Sequence, residues 1–164
     1  MTVEIPRRPT PRNDIGRSNV TTQTTHRGPK LAVDCIILLE GKVLLIHRRN
    51  PPHGWALPGG FVEYGETVED AVRREMKEET GLELEDLRQF HVYSDPCRDP
   101  RGHTVSVVFA ARGAGKPEAG DDADRYRLID LGDIPEEGLV FDHVQLLRDF
   151  RDQLSGLGTR SELP

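Results

Sequence analysis

Residues 59–82 read GGFVEYGETVEDAVRREMKEETGL, and this stretch decides the architecture. Two glycines open it and a polar turn follows. From Thr67 onward Val68, Ala71, Val72 and Met76 recur at helical spacing. Thr67 suits an N-cap, Asp70 stands where a capping box is completed, and Gly81 suits a left-handed stop, so the pattern predicts a helix over Thr67–Gly81. With Glu75 at zero on a wheel of about 100° per residue, Glu79 falls near +40° and Glu78 near −60°. Val68, Val72, Met76 and Ala71 occupy the same side, whereas Asp70, Arg73 and Lys77 lie opposite. A solvated acidic face would oppose the apolar stripe. Glutamates placed over it are expected to turn toward the domain body, where they repel one another and lose hydration.

Arg74 can pair with one of these carboxylates but cannot neutralise three. A bound divalent cation compensates them most economically, and an all-oxygen donor set selects Mg²⁺, with Mn²⁺ as a substitute. Gly59-Gly60 just upstream lets the backbone approach a ligand closely, so a main-chain carbonyl there can join the shell.

On the N-terminal side, Leu31–Leu39 and Lys42–His47 are apolar runs flanking Glu40-Gly41, which predicts a β-hairpin. The glycines and prolines between Pro51 and Gly60 predict irregular structure around Trp55 and Leu57. On the C-terminal side, strands are expected at Gln89–Ser94, Thr104–Arg112 and Tyr126–Leu131, and an amphipathic helix at Asp142–Leu154. Elements mixed without regular βαβ alternation indicate one α/β domain over residues 31–154. Residues 155–164 are expected to form a tail.

The chain has 164 residues and a formal net charge of −6, distributed unevenly. Residues 1–30 carry six Lys/Arg and two acids, with four prolines and few large apolar side chains. A basic, flexible N-terminal arm is expected there. The remaining 134 residues sum to −10, and ten of their acids fall between Gly59 and Asp86. That balance argues against a nucleic-acid-binding surface. No apolar run approaches a membrane span and no secretory signal core opens the chain, so a cytoplasmic location is expected. Cys35 and Cys97 make neither a disulfide framework nor a zinc site. Gly113-Ala114-Gly115-Lys116 lacks the first glycine and the Ser/Thr of a P-loop.

Gly60, five residues, Glu66, seven residues and then Arg74-Glu75-Met76-Lys77-Glu78-Glu79-Thr80-Gly81-Leu82 resembles the Nudix box, with every fixed position at the right spacing. The resemblance implies a Nudix-type α/β/α sandwich with a mixed central sheet. It implies Mg²⁺ held by Glu75, Glu78 and Glu79 with the carbonyl of Gly59 or Gly60, and Glu66 and Arg74 orienting the glutamates. It also implies hydrolysis of a pyrophosphate bond in a nucleoside diphosphate compound. Glu79 is one candidate general base, and Glu118, Asp121 and Asp122 in a later acidic loop are the others.

A second, shorter likeness lies in Ser94–His103 and Phe141-Asp142-His143, which resemble the ADP-ribose pyrophosphatase branch. It implies cleavage of ADP-ribose to AMP and ribose 5-phosphate. Arg98 and Arg101 are then candidates for phosphate binding, because guanidinium groups take phosphate oxygens in pairs. His103 and His143 are candidates for ribose or base contact, and Phe141 for stacking on adenine. Relatives of this branch are commonly homodimers. The alternatives are a housecleaning enzyme for nucleoside triphosphates or dinucleotides, and a ligand sensor without catalysis. The intact box, and only about ten residues after the last helix, speak against the sensor.

Overall fold

The computed structural model describes residues 28–118 and 123–157. The predicted hairpin forms from β1 (Lys30–Leu39) and β2 (Lys42–Arg48), with Glu40 and Gly41 both at positive φ in its turn. Then come β3 (Trp55–Ala56), β4 (Gly59–Phe61), α1 (Val68–Thr80), β5 (Glu83–Tyr93), β6 (Thr104–Ala114), β7 (Ala123–Ile129) and α2 (His143–Leu157). One mixed sheet contains all seven described strands, in the order β3-β2-β1-β6-β5, with β4 added to β1 and β7 to β2. β1 and β6 run parallel and the other pairs antiparallel.

Side-chain alternation along the central strands explains the two helical layers. Val33, Cys35, Ile37, Leu44 and Ile46 pack with Ala71, Val72 and Met76 of α1. Ile36, Val43 and Leu45 on the opposite face pack with Leu146, Leu147 and Phe150 of α2. β1 and β2 are buried on both faces and therefore read as continuous apolar runs rather than alternating ones. This is the expected α/β/α sandwich with a mixed sheet. Burial pushes the Cys35 thiol well above its usual range, which leaves it an inert core residue.

Three element expectations need correction. The Gly/Pro-rich segment read as irregular contributes β3 and β4, because the edges of β2 and β1 offer partners that no local pattern reveals. β5 starts at Glu83, six residues earlier than predicted, directly after the Gly81 stop. α2 continues through Leu157, past the predicted end. The basic arm expected over residues 1–30 lies outside the described residues except for its last three positions, of which Lys30 opens β1. Among the described residues, no helix is long and apolar enough to cross a membrane.

Candidate active site

Local rules place α1. The Thr67 hydroxyl oxygen accepts from the Asp70 amide at 3.1 Å, and Gly81 closes the helix at φ 70° with its amide on the Lys77 carbonyl. β4 runs antiparallel to β1, so Gly59 and Gly60 lie beside Asp34 and Val33 and face the C-terminal half of α1. Glu79 is 5% exposed, and its Oε2 accepts from the Gly59 amide at 2.8 Å. Arg74 ties the box together. Its Nε and one terminal amine bind both Glu66 oxygens at 2.9 Å, while the other amine reaches Glu75 at 2.8 Å and Glu78 at 3.3 Å. The Arg74 fork and the Glu63 backbone hold the Glu66 carboxyl down at about 2.

Glu78 departs from the expected picture. Its side chain is 59% exposed and lies outside the pocket that Glu75 and Glu79 line, so two glutamates of the box turn inward rather than three. At −60° Glu78 lies past the edge of the buried stripe, whereas Glu75 and Glu79 lie within it. Among the described residues no three acidic, imidazole or thiol groups already converge on one point. The donors nevertheless fit a hard divalent cation. Glu75 and Glu79 line the same pocket as Gly59 and Gly60. A Cβ on Gly60 would lie 2.5 Å from Glu75 Oε2 and closer still to Oε1, so glycine leaves that carboxylate its place. The donor chemistry there is oxygen throughout.

The pocket holds about 380 Å³, within the range of small-molecule sites. Arg48, Arg98, Arg101, Phe141 and His143 also line it, together with Asp34 and Asp99. Arg98 is buried. Its Nε and a terminal amine bind Asp142 at 2.9 and 2.7 Å, and that amine lies 3.6 Å from Asp34. Arg98 thus serves mainly as an internal ion pair. Arg101 is the more exposed arginine, held by Asp99 and set over the rings of Phe61 and Phe141. Phe141 has φ 58°, which costs a non-glycine residue about 1–2 kcal/mol. Backbone bonds fix it on both sides: the Trp55 amide donates to the Gly138 carbonyl and the Val140 amide to the Trp55 carbonyl before it, and the Gln145 amide donates to the Asp142 carbonyl after it.

His103 is exposed, hydrogen-bonded at 3.3 Å to the Ser94 carbonyl, and absent from the pocket lining, so the structure does not bring it together with the other candidate substrate residues. It stands at the base of the β5–β6 loop, and the chain enters β6 one residue later. Glu118 is exposed beside Gly81 and outside the lining, whereas Asp121 and Asp122 lie outside the described residues. Sequence reasoning missed Asp34, which accepts from Ser106 Oγ, and Asp99, each reached through a partner on another element or loop.

His143 is fully buried. Its Nδ1 accepts from the Leu57 amide at 2.9 Å, and Nε2 faces Asp34 at 3.7 Å. Burial lowers its pKa below the ordinary histidine value, outweighing the opposite pull of Asp34 and Asp142. Because the unfolded chain then binds the proton more readily, neutral His143 contributes stability fully above about pH 6.5, lost as pH falls toward the folded value. The thermal midpoint should therefore drop as pH falls below about 6.5, and less steeply in His143→Asn. Scanning calorimetry of both proteins checks this, and parallel pH profiles would contradict it.

A family model described as NUDIX domain matches residues 28–150. An ADP-ribose pyrophosphatase of Methanocaldococcus jannaschii is 50% identical over 125 residues, covering 74% of this chain and 73% of that protein. A MutT/nudix family protein of Enterococcus faecalis superposes with TM-score 0.69 at 34% identity, over 79% of this chain and 64% of that one. The NUDIX domain of Shewanella oneidensis NrtR, crystallised with ADP ribose, superposes with TM-score 0.71 at 29% identity, over 78% and 90% of the two chains.

Proposed function

The chain belongs to the Nudix family, and on that footing we propose that it hydrolyses the pyrophosphate bond of ADP-ribose, giving AMP and ribose 5-phosphate. One observation carries the reading. One pocket is lined both by the inward box glutamates Glu75 and Glu79 and by Arg101, Arg48 and the Phe61 and Phe141 side chains. That is the chemistry a nucleoside diphosphate needs, with carboxylates for a cation at the reacting phosphates and cations and ring faces for the rest of the molecule. The half-identical relative named for this activity supports the choice of substrate.

Glu75, Glu79, the exposed Glu78 and the Gly60 carbonyl would hold Mg²⁺, or Mn²⁺ in its place. When bound, that ion would neutralise phosphate oxygens, lower the pKa of water and stabilise the departing phosphate. The chain's own groups do the rest. Arg74, anchored by Glu66, keeps Glu75 and Glu78 in place. The Gly59 amide fixes Glu79, the candidate base that lines the pocket. Arg101 binds phosphate oxygens, Phe141 offers its ring to adenine, and His143 supports the wall through Leu57.

A panel assay tests the proposal, using ADP-ribose, 8-oxo-dGTP and diadenosine polyphosphates with products identified by mass. ADP-ribose should be cleaved fastest and yield AMP. A chelator should stop turnover, and Mg²⁺ or Mn²⁺ should restore it. Preferred cleavage of a triphosphate or a dinucleotide would move the enzyme to the housecleaning class, and ADP-ribose binding without turnover would make it a sensor.

A further inference from the structure

We propose that Asp99 is a positioning residue for substrate binding, fixing Arg101 against Phe61 and Phe141 so that its guanidinium meets a phosphate already oriented. The inference rests on reading the pocket as a nucleotide site, and it gives a task to a carboxylate that the catalytic chemistry does not use. Asp99 is buried, in a loop between β5 and β6. Its Oδ1 accepts from Arg101 Nε at 3.0 Å and from the Arg101 amide at 2.9 Å, while Oδ2 accepts from a terminal amine of Arg101 at 2.8 Å and from Thr104 Oγ1 at 3.2 Å.

Both ends of this fork are constrained. Burial by itself would raise the Asp99 pKa, but the Arg101 hydrogen bonds and the Thr104 hydroxyl hold it below the usual carboxylate value, so the clamp is ionised at neutral pH. On the other side, the Arg101 guanidinium carbon lies 5.6 Å from the Phe61 ring centre and 5.0 Å from that of Phe141. An arginine side chain 40% exposed would ordinarily sample many rotamers, and ordering it would oppose binding. Here the order is set in advance. The fork uses Nε and one terminal amine, leaving the opposite edge of the planar group for an incoming acceptor. Among the described residues, every hydrogen bond of the Arg101 side chain runs to Asp99.

A double-mutant cycle on the full chain tests the clamp, with ADP binding measured by calorimetry and ADP-ribose kinetics measured in parallel. Arg101→Ala should weaken ADP binding about tenfold or more, as expected for a lost charge-assisted hydrogen bond. Asp99→Asn should weaken it about fivefold and raise KM in step, with kcat within about twofold of the parent. In the Arg101→Ala background, Asp99→Asn should add nothing, because the carboxylate acts only through the guanidinium. An undiminished further loss there would overturn the clamp, since a purely structural Asp99 predicts it. Should Asp99→Asn not fold, Arg101→Lys decides. It keeps the charge but cannot fork, so it should bind ADP as weakly as Arg101→Ala, and parent-like binding would refute the clamp. ADP binding without ADP-ribose turnover by the unmutated chain would overturn the functional reading while the cycle still tests the clamp. Absence of ADP binding would overturn both.

Discussion

Glu79→Gln is expected to give a folded protein that no longer turns over ADP-ribose. Glutamine has nearly the volume of glutamate and keeps a side-chain oxygen, so the bond from the Gly59 amide can persist and α1 stays docked on β4. What disappears is the negative charge. A cation at a phosphoryl site contributes several kcal/mol of charge stabilisation, so losing a ligand that is also the candidate base should lower kcat about a thousandfold or more. Stability should move the other way or not at all, because a carboxylate 5% exposed is costly to bury and a neutral amide is cheaper. The check pairs kcat under saturating Mg²⁺ with the thermal midpoint of the metal-free protein. Turnover near the parent value would sink the assignment of the box glutamates to the metal.

Much of this arrangement was legible in the chain because it is local. Thr67 and Gly81 mark their helix by capping chemistry, and the wheel placed Glu75 and Glu79 over the apolar stripe, where Glu79 is buried and Glu75 largely so. Glu78 shows the limit of the same method. Sixty degrees from Glu75 can be inward or outward, and the path of β4 decides which.

The rest of the pocket lining was harder to read, since its members meet only through tertiary pairing. Asp34 receives Ser106 from 72 residues away, and Arg98 finds Asp142 across 44. No local spacing encodes those partners. Arg98, a candidate phosphate ligand from the Ser94–His103 likeness, does line the pocket, but its guanidinium also pairs internally with Asp142, which no local spacing announces. His103 shows a similar limit, since sharing a loop with Arg101 says nothing of which way its side chain points, here toward the Ser94 carbonyl.

The two glycines before the helix should separate folding from catalysis when each is replaced by alanine. At Gly59 the new methyl would lie 2.7 Å from Asp34 Oδ1, and closer still to the Val33 carbonyl oxygen in the neighbouring strand. Backbone of the central sheet cannot step aside cheaply, so Gly59→Ala should destabilise the fold by about 1–3 kcal/mol or more, as overpacked sites do. At Gly60 the obstacle is the carboxylate of Glu75, the far end of a flexible side chain. That group can swing away, so Gly60→Ala should unfold at nearly the parent temperature. The displaced Glu75 would lose its place beside β4 and its bond to Arg74, and turnover should fall about a hundredfold or more, as for a misplaced catalytic group. Thermal melts and kcat/KM for the pair provide the measurement. Activity retained in a stable Gly60→Ala protein would show that Glu75 need not occupy the position where Gly60 admits it.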